Sequence, residues 1–532
     1  MIPGSMQPYA LTLDKFLDHA AKWHPRSEVV TAGEDGKSAR VDYAELKVRA
    51  KRVSAALAAR GVGQGTCVAT MAWNTQAHLE SWYGIIGMGA ICHTLNPRLL
   101  PSQLAAMLTQ SGARILILSA DLHELAHEVL GQTSTVEEIL VIDGNVEPGS
   151  AANGACKVGT LNDAAAAAAS GACGPVAWGG FDENTPCGLC FTSGTTGPPK
   201  GVTYTHRGNY LHTMRQLQAD VAGLTRQDSV LTVVPMFHAN AWGLPFSVPA
   251  VGGKLVLPGR QSDGAALARL IVDEQVTIGV GVPTVWLGLM DYLDKAETDV
   301  PTLKRIMVGG APMPPALMER IERRGIGVQT TWGMTEISPL GTATPLAERA
   351  KTPSTSGRPA IGIDLMLTDA AGEPLAQQRD AKGHLWVRGP SVVERYLDQT
   401  EPATRNGWFD TGDLARIDAS GTLSIVGRSK DLIKSGGEWI NPAEIEAIVS
   451  AHPDVSMAAV IGREHPKWGE RPVLVVEIRQ GVEISDEALL DGLDGLVANW
   501  WRPDTVLRVS TMPLAPTGKI DKLLLRSEYG RS

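Results

Sequence analysis

Apolar residues near the start of the chain recur at the spacing of one helix face, and a different pattern follows them. The recurring positions are Leu13, Phe16, Leu17 and Ala20. Their spacing predicts an amphipathic helix, and residues 11–60 as a whole predict two such helices around a short strand. Short apolar runs follow at 67–73, 90–95 and 115–120, separated by stretches typical of helices at 76–88 and 101–110. This alternation predicts an α/β sheet.

A segment with little apolar periodicity separates this region from a second one. Residues 150–186 are rich in Ala, Gly, Asn and Asp, and apart from a possible helix at 164–169 we interpret them as a surface connection. Apolar runs separated by helical stretches resume over 187–345 and predict a second α/β region. Short strands and turns alternate over 360–430, which predicts a β-rich subdomain.

The last part of the chain predicts a small α+β domain on a hinge. Its predicted elements are a helix starting near Asn441, strands at 457–462 and 472–478, and a helix at 486–499. A chain of 532 residues exceeds the size of one hydrophobic core. We therefore predict an α/β protein with a large N-terminal domain at 1–428, a hinge at 429–433 and a small mobile C-terminal domain at 434–532. The N-terminal domain would contain two α/β sheets and the β-rich subdomain.

Composition narrows the classes of function. Hydrophobic residues make up 43% of the chain and charged residues 20%, which is ordinary for a globular protein. The net charge of -9 gives no overall basic field, so we expect no nucleic acid partner. No apolar stretch reaches the roughly 18 residues of a membrane helix. The opening residues lack the basic and apolar regions of a secretory signal. We therefore expect a cytoplasmic protein without a transmembrane segment.

The six cysteines are too few for a disulfide framework in a chain of this length, which favours a reducing compartment. Cys187 and Cys190 form a C-x-x-C pair, a spacing that also occurs in redox and zinc motifs. No second cysteine pair or histidine pair stands nearby in the sequence to complete a zinc site. We interpret the pair as two cysteines of a buried strand.

The strongest chemical signal is the segment TSGTTGPPKG at 192–201, directly after the apolar run CGLCF. Its glycines allow close backbone approach, its hydroxyls can donate to phosphate oxygens, and its lysine adds positive charge. A polyphosphate-binding loop is therefore predicted, formed by Thr192, Ser193, Gly194, Thr195, Thr196, Gly197 and Lys200. The segment is neither a Walker A loop nor a dinucleotide fingerprint, because it lacks Gly-Lys-Ser/Thr and G-x-G-x-x-G. A flexible surface loop is the alternative, but it would not require the lysine or the two prolines.

With a second motif, QTTWGMTE at 329–336, this loop resembles the adenylate-forming enzymes: acyl-CoA synthetases, peptide-synthetase adenylation domains and firefly luciferase. The resemblance runs in order along nearly the whole chain and is strongest to the long- and medium-chain fatty acyl-CoA synthetases. It implies that Trp332 lies on adenine, that Thr335 binds the α-phosphate and that Glu336 helps to hold Mg²⁺, for which a carboxylate is a suitable hard ligand. Trp332 stands where the family mostly has tyrosine. Core packing is the alternative role for this tryptophan taken alone.

Later motifs carry further implications of the resemblance. In WFDTGD at 408–413, Asp413 would accept hydrogen bonds from both ribose hydroxyls. In GRSKD at 427–431, Arg428 would bind ribose or phosphate, and Lys430 would be the pivot of the hinge. In PTGK at 516–519, Lys519 would bridge the carboxylate and the phosphate during adenylation. A lone lysine near a C-terminus is normally a solvated charge, so this role depends on the order and spacing of the motifs.

The resemblance also assigns a binding loop for coenzyme A and completes the nucleotide site. The loop KSGGEWI at 434–440 would form the pantetheine tunnel through Ser435, Gly436, Gly437 and Glu438, with Lys434 and Trp439 beside the nucleotide. The other implied nucleotide-binding residues are Gly310, Ala311, Pro312, Thr331, Gly333 and Met334. Thr192 would join Glu336 in holding the metal ion.

The implied reaction explains these residue types. A carboxylate is a weak nucleophile that must approach a tetra-anionic nucleotide, so the site has to cancel charge and align the attack on the α-phosphorus. Lys519, Lys200 and Mg²⁺ at Glu336 would supply that cancellation. Pyrophosphate leaves, and the thiolate of coenzyme A attacks the acyl-adenylate after the small domain has turned about Lys430. The sequence thus predicts an AMP-forming acyl-CoA ligase that uses ATP, Mg²⁺ and coenzyme A.

The segment PMFHANAW at 235–242 resembles the mouth of the family's acyl pocket. His238 would orient the carboxylate or act as a gate, although an isolated histidine is more often a core residue. Trp242 would gate the fatty-acyl tunnel, and Ala239, Val282 and Gly309 would line the pocket. We predict a medium- or long-chain fatty acid as substrate. An aryl-propenoic or small thioether acid is the alternative, because related enzymes with near-identical motifs use such acids. The resemblance also implies a homodimer.

Other functions explain the sequence less well. A free-standing adenylation enzyme that loads a carrier protein would share every nucleotide motif, but the chain has 13 residues after Lys519 and no carrier domain there. A luciferase-like oxygenase has no discriminating residues in this chain. A non-catalytic nucleotide-binding protein would be expected to lack Lys519 or Glu336. A serine hydrolase is disfavoured because no G-x-S-x-G occurs.

Overall fold

The structure is a computed structural model. It describes residues 3–33, 36–145, 156–170, 176–192, 199–345, 348, 355–436, 438–479, 481–515 and 519–530. No helix within these ranges is both long enough and apolar enough to cross a membrane.

Helices and strands alternate over most of the first two thirds of the chain. Up to residue 205 the elements are α1 (Asp14–Trp23), β1 (Glu28–Ala32), β2 (Ser38–Asp42), α2 (Tyr43–Ala58), β3 (Cys67–Met71), α3 (Gln76–Gly87), β4 (Ile91–Thr94), α4 (Pro101–Ser111), β5 (Ile115–Ser119), α5 (His123–Leu130), β6 (Glu138–Ile142), β7 (Lys157–Thr160), α6 (Leu161–Ser170), β8 (Pro186–Phe191) and β9 (Gly201–Thr205). The elements that follow, up to residue 345, are α7 (His206–Gln216), β10 (Ser229–Thr232), α8 (Leu244–Val251), β11 (Lys254–Leu257), α9 (Gly264–Asp273), β12 (Ile278–Gly281), α10 (Pro283–Lys295), β13 (Arg305–Val308), α11 (Pro315–Glu322), β14 (Gly327–Gly333) and β15 (Leu340–Ala343).

Strands dominate the remaining part of the chain. Its elements are β16 (Thr355–Pro359), β17 (Asp364–Thr368), β18 (Ala381–Arg388), β19 (Thr404–Arg405), β20 (Trp408–Ile417), β21 (Leu423–Arg428), β22 (Ile433–Ser435), β23 (Glu438–Ile440), α12 (Pro442–Ser450), β24 (Val455–His465), β25 (Gly469–Ile478), α13 (Asp486–Asp491), β26 (Thr505–Arg508) and α14 (Lys522–Tyr529). The predicted fold class, an α/β N-terminal part followed by a smaller α+β part, is confirmed.

The first sheet has the strand order β7-β6-β5-β3-β4-β8-β9. All neighbours run parallel except β9, which pairs antiparallel with β8. The sequence predicted that β8 begins the second α/β region, but its buried residues instead pair with β4, with Leu189 opposite His93. Both ends of the predicted polyphosphate loop therefore leave this first sheet, at Phe191 and Gly201.

The second sheet joins two regions that the sequence treated separately. A parallel series β1-β11-β10-β12-β13-β14 continues through the antiparallel strand β15 into the β-rich region β16–β21. The strand β1, with its buried residues Val29 and Val30, adds to the edge at β11 and forms a hairpin with β2. The prediction of one short strand in this region missed β2.

A third, smaller sheet contains β22–β26. The long strands β24 and β25 form an antiparallel pair in which β24 is the edge strand, and α12 packs against β24. The helix predicted at 486–499 is shorter and ends at Asp491. Gly492 follows as the C-cap, and Gly495 has φ of 73°, a conformation that a continuing right-handed helix does not contain.

The segment at 150–186 contains more regular structure than the sequence predicted, whereas the Cys187–Cys190 pair lies as predicted. The predicted surface connection at 150–186 contains β7 and α6, so the possible helix there is confirmed and the strand was missed. Cys187 and Cys190 both lie buried in β8, as predicted. Burial raises the pKa of both thiols, which keeps them protonated and poorly nucleophilic near neutral pH.

Candidate active site

The carboxyl ends of parallel strands converge at one edge of the second sheet, where ligands of α/β sheets usually bind. The residues found there are Pro235 to Trp242 after β10, Val282 after β12, Gly309 to Pro312 after β13, and Thr331 to Gly333 at the end of β14. Parallel pairing of β10, β12, β13 and β14 brings these segments side by side although they are far apart in sequence. The predicted acyl-pocket residues and the predicted nucleotide residues after β13 and at the end of β14 therefore share one edge.

Asp413 forms the buried centre of this site. Asp413 is 2% exposed to solvent. The indole Nε1 of Trp332 donates to Asp413 Oδ2 at 2.9 Å, and the Arg428 guanidinium lies 2.7 Å from Asp413 Oδ1. Burial raises the pKa of Asp413, while Arg428 and the hydrogen bond from Trp332 oppose that rise. The carboxylate is thus fixed in orientation and retains lone pairs for further donors.

Lys519 reaches this site from the C-terminal part of the chain. A Cβ placed on Gly310 would lie 3.7 Å from Lys519 Cε, so the lysine stem passes over the turn after β13. Burial lowers the pKa of Lys519 to about 8, Arg428 and Lys430 repel its charge, and Asp413 and Glu336 attract it. Burial also lowers the pKa of Lys430. The structure therefore places Lys519 among the predicted ribose, hinge and metal residues.

This lowered pKa gives a pH prediction. The ammonium of Lys519 is lost as the pH rises through about 8. If the charged form is required, kcat/KM for ATP in pyrophosphate exchange should fall about tenfold per pH unit above that value, since kcat/KM reports the free enzyme. In Lys519→Arg the descending limb should disappear, because a guanidinium stays protonated. A wild-type profile that stays flat from pH 7 to 10 would contradict this assignment.

Glu336 lies in a short turn, Thr335–Ile337, that two tyrosines hold. The hydroxyl of Tyr204 donates to the Thr335 carbonyl at 2.8 Å, and the hydroxyl of Tyr396 donates to Glu336 Oε1 at 3.0 Å. Burial raises the pKa of Glu336, and Arg428 and Lys200 lower it. Sequence reasoning missed both tyrosines, because each belongs to a segment without a motif that we recognised.

The ends of the predicted polyphosphate loop are close together. Thr192 N donates to the Lys200 carbonyl at 3.0 Å, and Lys200 N donates to Thr192 Oγ1 at 3.2 Å. The loop is therefore closed at its base. Ser193, Gly194, Thr195, Thr196 and Gly197 lie outside the described residues.

The predicted metal ligands have the right donor chemistry for Mg²⁺. Glu336 offers carboxylate oxygens and Thr192 a hydroxyl, which are the hard oxygen donors that this ion prefers. Glu336 is half-buried, and the positive charges of Arg428 and Lys200 act on its carboxylate. Among the described residues no three acidic, histidine or cysteine side chains are grouped so that they could hold a metal ion.

Trp242, the predicted gate of the acyl pocket, packs against the turn that follows β13. A Cβ on Gly309 would lie 3.2 Å from Trp242 Cη2, and one on Gly310 would lie 3.4 Å from Val282 Cγ1 and 3.8 Å from Trp242 Cζ2. The indole thus packs across the two glycines. A side chain at Gly309 would be excluded by Thr331 Oγ1, 2.5 Å from the added Cβ, and Gly310 has φ of 80°, which disfavours any residue with a side chain. Gln216 Nε2 donates to the Trp242 carbonyl at 3.0 Å and anchors the segment.

The backbone around Trp242 is strained. Ala239, Asn240, Ala241 and Trp242 all have φ between 44° and 56°, and Gly243 continues with 81°. A left-handed turn of non-glycine residues costs roughly 1–2 kcal/mol for each, and such strain is common at functional sites. His238 precedes the turn, and burial together with Lys519 lowers its pKa to about 4, so it is neutral near pH 7. A neutral imidazole can orient a carboxylate by hydrogen bonding.

The predicted coenzyme A loop lies apart from this cluster. Ser435 and Glu438 belong to the β22–β23 hairpin, and Lys434 Nζ lies 5.6 Å from the ring centre of Trp439, which is 52% exposed. Gly436, between them, has φ of 60°. Gly437 lies outside the described residues. The nucleotide roles expected for Lys434 and Trp439, and the tunnel role of the loop, stay predictions.

Family models and known proteins match this chain over nearly its whole length. The family model described as AMP-binding enzyme matches residues 17–397, and the model described as AMP-binding enzyme C-terminal domain matches residues 444–519. A 3-methylmercaptopropionyl-CoA ligase of Ruegeria lacuscaerulensis is 39% identical over 537 residues, which cover 99% of this chain and 98% of that protein. A medium-chain-fatty-acid–CoA ligase of Ectopseudomonas oleovorans is 37% identical over 543 residues, covering 99% and 97%.

A solved structure supports the same relationship. The crystal structure of ATP-bound MatB from Rhodopseudomonas palustris superposes with a TM-score of 0.84 at 27% identity, over 98% of this chain and 99% of that one. The arrangement of the three sheets is therefore that of a protein known to bind ATP.

Proposed function

We propose that an unbranched apolar acid is the substrate of this chain, which belongs to the AMP-binding enzyme family and is an AMP-forming acyl-CoA ligase. Its co-substrates are ATP and coenzyme A, and its metal ion is Mg²⁺. The acid would have a short to medium chain. Medium-chain fatty acids and small thioether acids both meet this description. The observation that carries the proposal is the packing of Trp242 across Gly309 and Gly310.

The acyl side of the site supports an apolar chain of limited length. Four side chains approach the two glycines: Trp242, Val282, Thr331 and Lys519. Thr331 Oγ1 donates to the Val308 carbonyl at 3.0 Å, and Lys519 is the residue proposed for the reacting carboxylate. Trp242 and Val282 add only apolar surface, with no charge for a second carboxylate or an amine. An acyl chain that passed Gly309 and Gly310 would meet the indole of Trp242, which would limit its length. A longer chain would require Trp242 to move.

In the first half-reaction we propose a separate role for each of the residues described above. Asp413 would hold the ribose, Lys519 would lie between the acid and the α-phosphate, and Lys200 would contact the outer phosphates. His238 would orient the carboxylate as a neutral donor. Mg²⁺ held by Glu336 and Thr192 would neutralise charge on the phosphates. Alignment and charge neutralisation together lower the barrier for attack by a weak nucleophile.

For the second half-reaction we propose that residues 434–532 turn as one domain about a hinge at 429–433, leaving 1–428 in place. Strand β21 ends at Arg428 and β22 begins at Ile433, which supports these limits. Lys519 and the Lys434–Glu438 loop belong to different parts of the turning domain, so one orientation presents the lysine and the other presents the loop. A homodimer stays a prediction from the resemblance.

Replacing Trp242 tests the proposed substrate class. The wild-type protein should have its highest kcat/KM with acids between 3-(methylthio)propanoate and the medium-chain fatty acids. Trp242→Ala should move the maximum to longer acids, with a gain of about fourfold for each methylene that is newly buried, from roughly 0.8 kcal/mol per CH₂. The Michaelis constant for ATP should stay within about threefold, since the indole contacts the acyl side.

The measurement is a CoA-dependent AMP-release assay over acids from propanoate to palmitate, with 3-(methylthio)propanoate and an aryl-propenoic acid included. Trp23→Ala is the control, because that tryptophan is 63% exposed at the end of α1. An unchanged chain-length profile in Trp242→Ala, or a wild-type preference for the aryl-propenoic acid, would contradict the proposal.

A further inference from the structure

The segment from Val393 to Leu397, which we call the bridging segment, connects the metal turn to the end of the polyphosphate loop. Val393 N donates to the Glu336 carbonyl at 2.7 Å, and Leu397 N donates to the Gly201 carbonyl at 2.8 Å. Gly201 directly follows Lys200. Backbone hydrogen bonds at both ends of the bridging segment therefore set the spacing between Glu336 and the loop.

Tyr396, within this segment, contacts both functional side chains. Its hydroxyl donates to Glu336 Oε1 at 3.0 Å, and Lys200 Nζ lies 4.9 Å from its ring centre. The ring is further supported by Phe409, whose centre is 6.5 Å away in an edge-on arrangement. One half-buried phenol thus touches the predicted metal ligand with its hydroxyl and the predicted phosphate ligand with its ring face.

We propose that Tyr396 is a positioning residue that couples Mg²⁺ at Glu336 to the polyphosphate ligand Lys200. This inference rests on the proposed function. A hydrogen bond to one carboxylate oxygen fixes the rotation of the carboxylate and leaves lone pairs for the metal ion. The aromatic face attracts the ammonium without neutralising it as a carboxylate would, so Lys200 keeps its charge for phosphate.

Comparison with a second tyrosine, Tyr204, distinguishes this role from support of the Thr335–Ile337 turn alone. Tyr204 donates to the backbone carbonyl of Thr335 at 2.8 Å, so it holds the same turn without bonding the Glu336 carboxylate. Removing the Tyr204 hydroxyl should loosen the turn as a whole. Removing the Tyr396 hydroxyl should act on the carboxylate, and hence on the metal ion in particular.

Binding of ATP by the full-length protein tests the proposal without turnover. Equilibrium dialysis of labelled ATP over a range of Mg²⁺ concentrations gives the nucleotide affinity with and without the metal. Tyr396→Phe should raise the Mg²⁺ concentration for half-maximal ATP binding about tenfold, the scale on which partners of metal ligands act. Its ATP affinity without Mg²⁺ should be unchanged, because the ring beneath Lys200 remains.

Tyr396→Leu removes the ring as well and should also weaken ATP binding without Mg²⁺ by about two- to fivefold, the loss of one exposed cation–π contact. The matched control is Tyr43→Phe, which deletes a buried phenol hydrogen bond to the Gly253 carbonyl (2.7 Å) elsewhere in the fold. That variant should change neither affinity. If Tyr396→Leu does not fold, the metal dependence of Tyr396→Phe still decides the question.

Two results would overturn the inference: an unchanged Mg²⁺ dependence in Tyr396→Phe, or equal effects of Tyr396→Phe and Tyr204→Phe on binding with and without metal. Either would leave Tyr396 a structural residue only. Failure of the proposed function is distinguishable, because it would appear in the wild-type protein as no release of pyrophosphate with any acid of the panel.

Discussion

Replacing Lys519 by alanine is expected to slow acyl-adenylate formation by at least about a hundredfold, the scale of deleting one electrostatic stabiliser of a transition state. The reason is the position of its ammonium between Asp413, Glu336 and Arg428, over the turn at Gly310. In that place it can offset the repulsion between the incoming carboxylate and the α-phosphate. Thioester formation from supplied acyl-adenylate and coenzyme A should be retained, because the lysine would then be turned away from the site.

Acid-dependent pyrophosphate exchange measures the first step, and thioester formation from isolated acyl-adenylate measures the second. Lys522→Ala is the matched control, since Lys522 lies three residues further on and pairs with Glu446 at 2.6 Å within the same small domain. That variant should keep the rates of both steps. Equal losses in both steps for Lys519→Ala would mean that a rotating domain does not separate the two half-reactions in this protein.

Replacing Asp413 by asparagine is expected to remove most of the preference for ribose hydroxyls in the nucleotide. Hydrogen bonds to a charged group are each worth about 1.5–3 kcal/mol. Two of them correspond to at least about a hundredfold in kcat/KM. The loss should depend on the ribose hydroxyls, because Trp332 and Arg428 hold this buried carboxylate in one orientation.

Comparison of ATP with 2′,3′-dideoxy-ATP in pyrophosphate exchange isolates the effect. The wild-type protein should prefer ATP by at least about a hundredfold, and Asp413→Asn should reduce that ratio to less than about tenfold. Asp410→Asn is the control, because Asp410 lies in the same strand and is exposed. Its carboxylate accepts a hydrogen bond from Gly412 N at 2.9 Å. A thermal melt monitors folding, since the substitution leaves Arg428 without its partner. An unchanged ratio in a folded Asp413→Asn would contradict the ribose assignment.

Local patterns predicted most of the elements, and the strand neighbours came from contacts between distant parts of the chain. The apolar runs at 67–73 and 115–120 became β3 and β5, and the helical stretch at 76–88 became α3. The pattern of β8 gave no sign that it pairs with β4, because pairing between strands far apart in the chain depends on contacts that no local pattern records. The pairing of β1 with β11 was unpredictable for the same reason.

The site was predictable where residues form motifs and unpredictable where single side chains support them. The ordered motifs alone predicted that Lys519, Asp413, Glu336 and Trp332 belong to one site. Nothing in the sequence indicated that Trp332 donates to Asp413, because stacking on adenine was the role that the motif suggested. Tyr396 was missed because its partner Glu336 is 60 residues away and its own segment, VERYL, matched no motif that we had recognised.

The central claim is that this protein activates a carboxylic acid as an acyl-adenylate before coenzyme A takes part, and the order of product release tests it most directly. The purified protein is mixed with Mg²⁺, ATP and either octanoate or 3-(methylthio)propanoate, and the products are quenched and separated before and after addition of coenzyme A. The account predicts about one equivalent of pyrophosphate and enzyme-bound acyl-adenylate before coenzyme A is added, and AMP with the thioester afterwards. Formation of ADP and phosphate, or no pyrophosphate until coenzyme A is present, would contradict it.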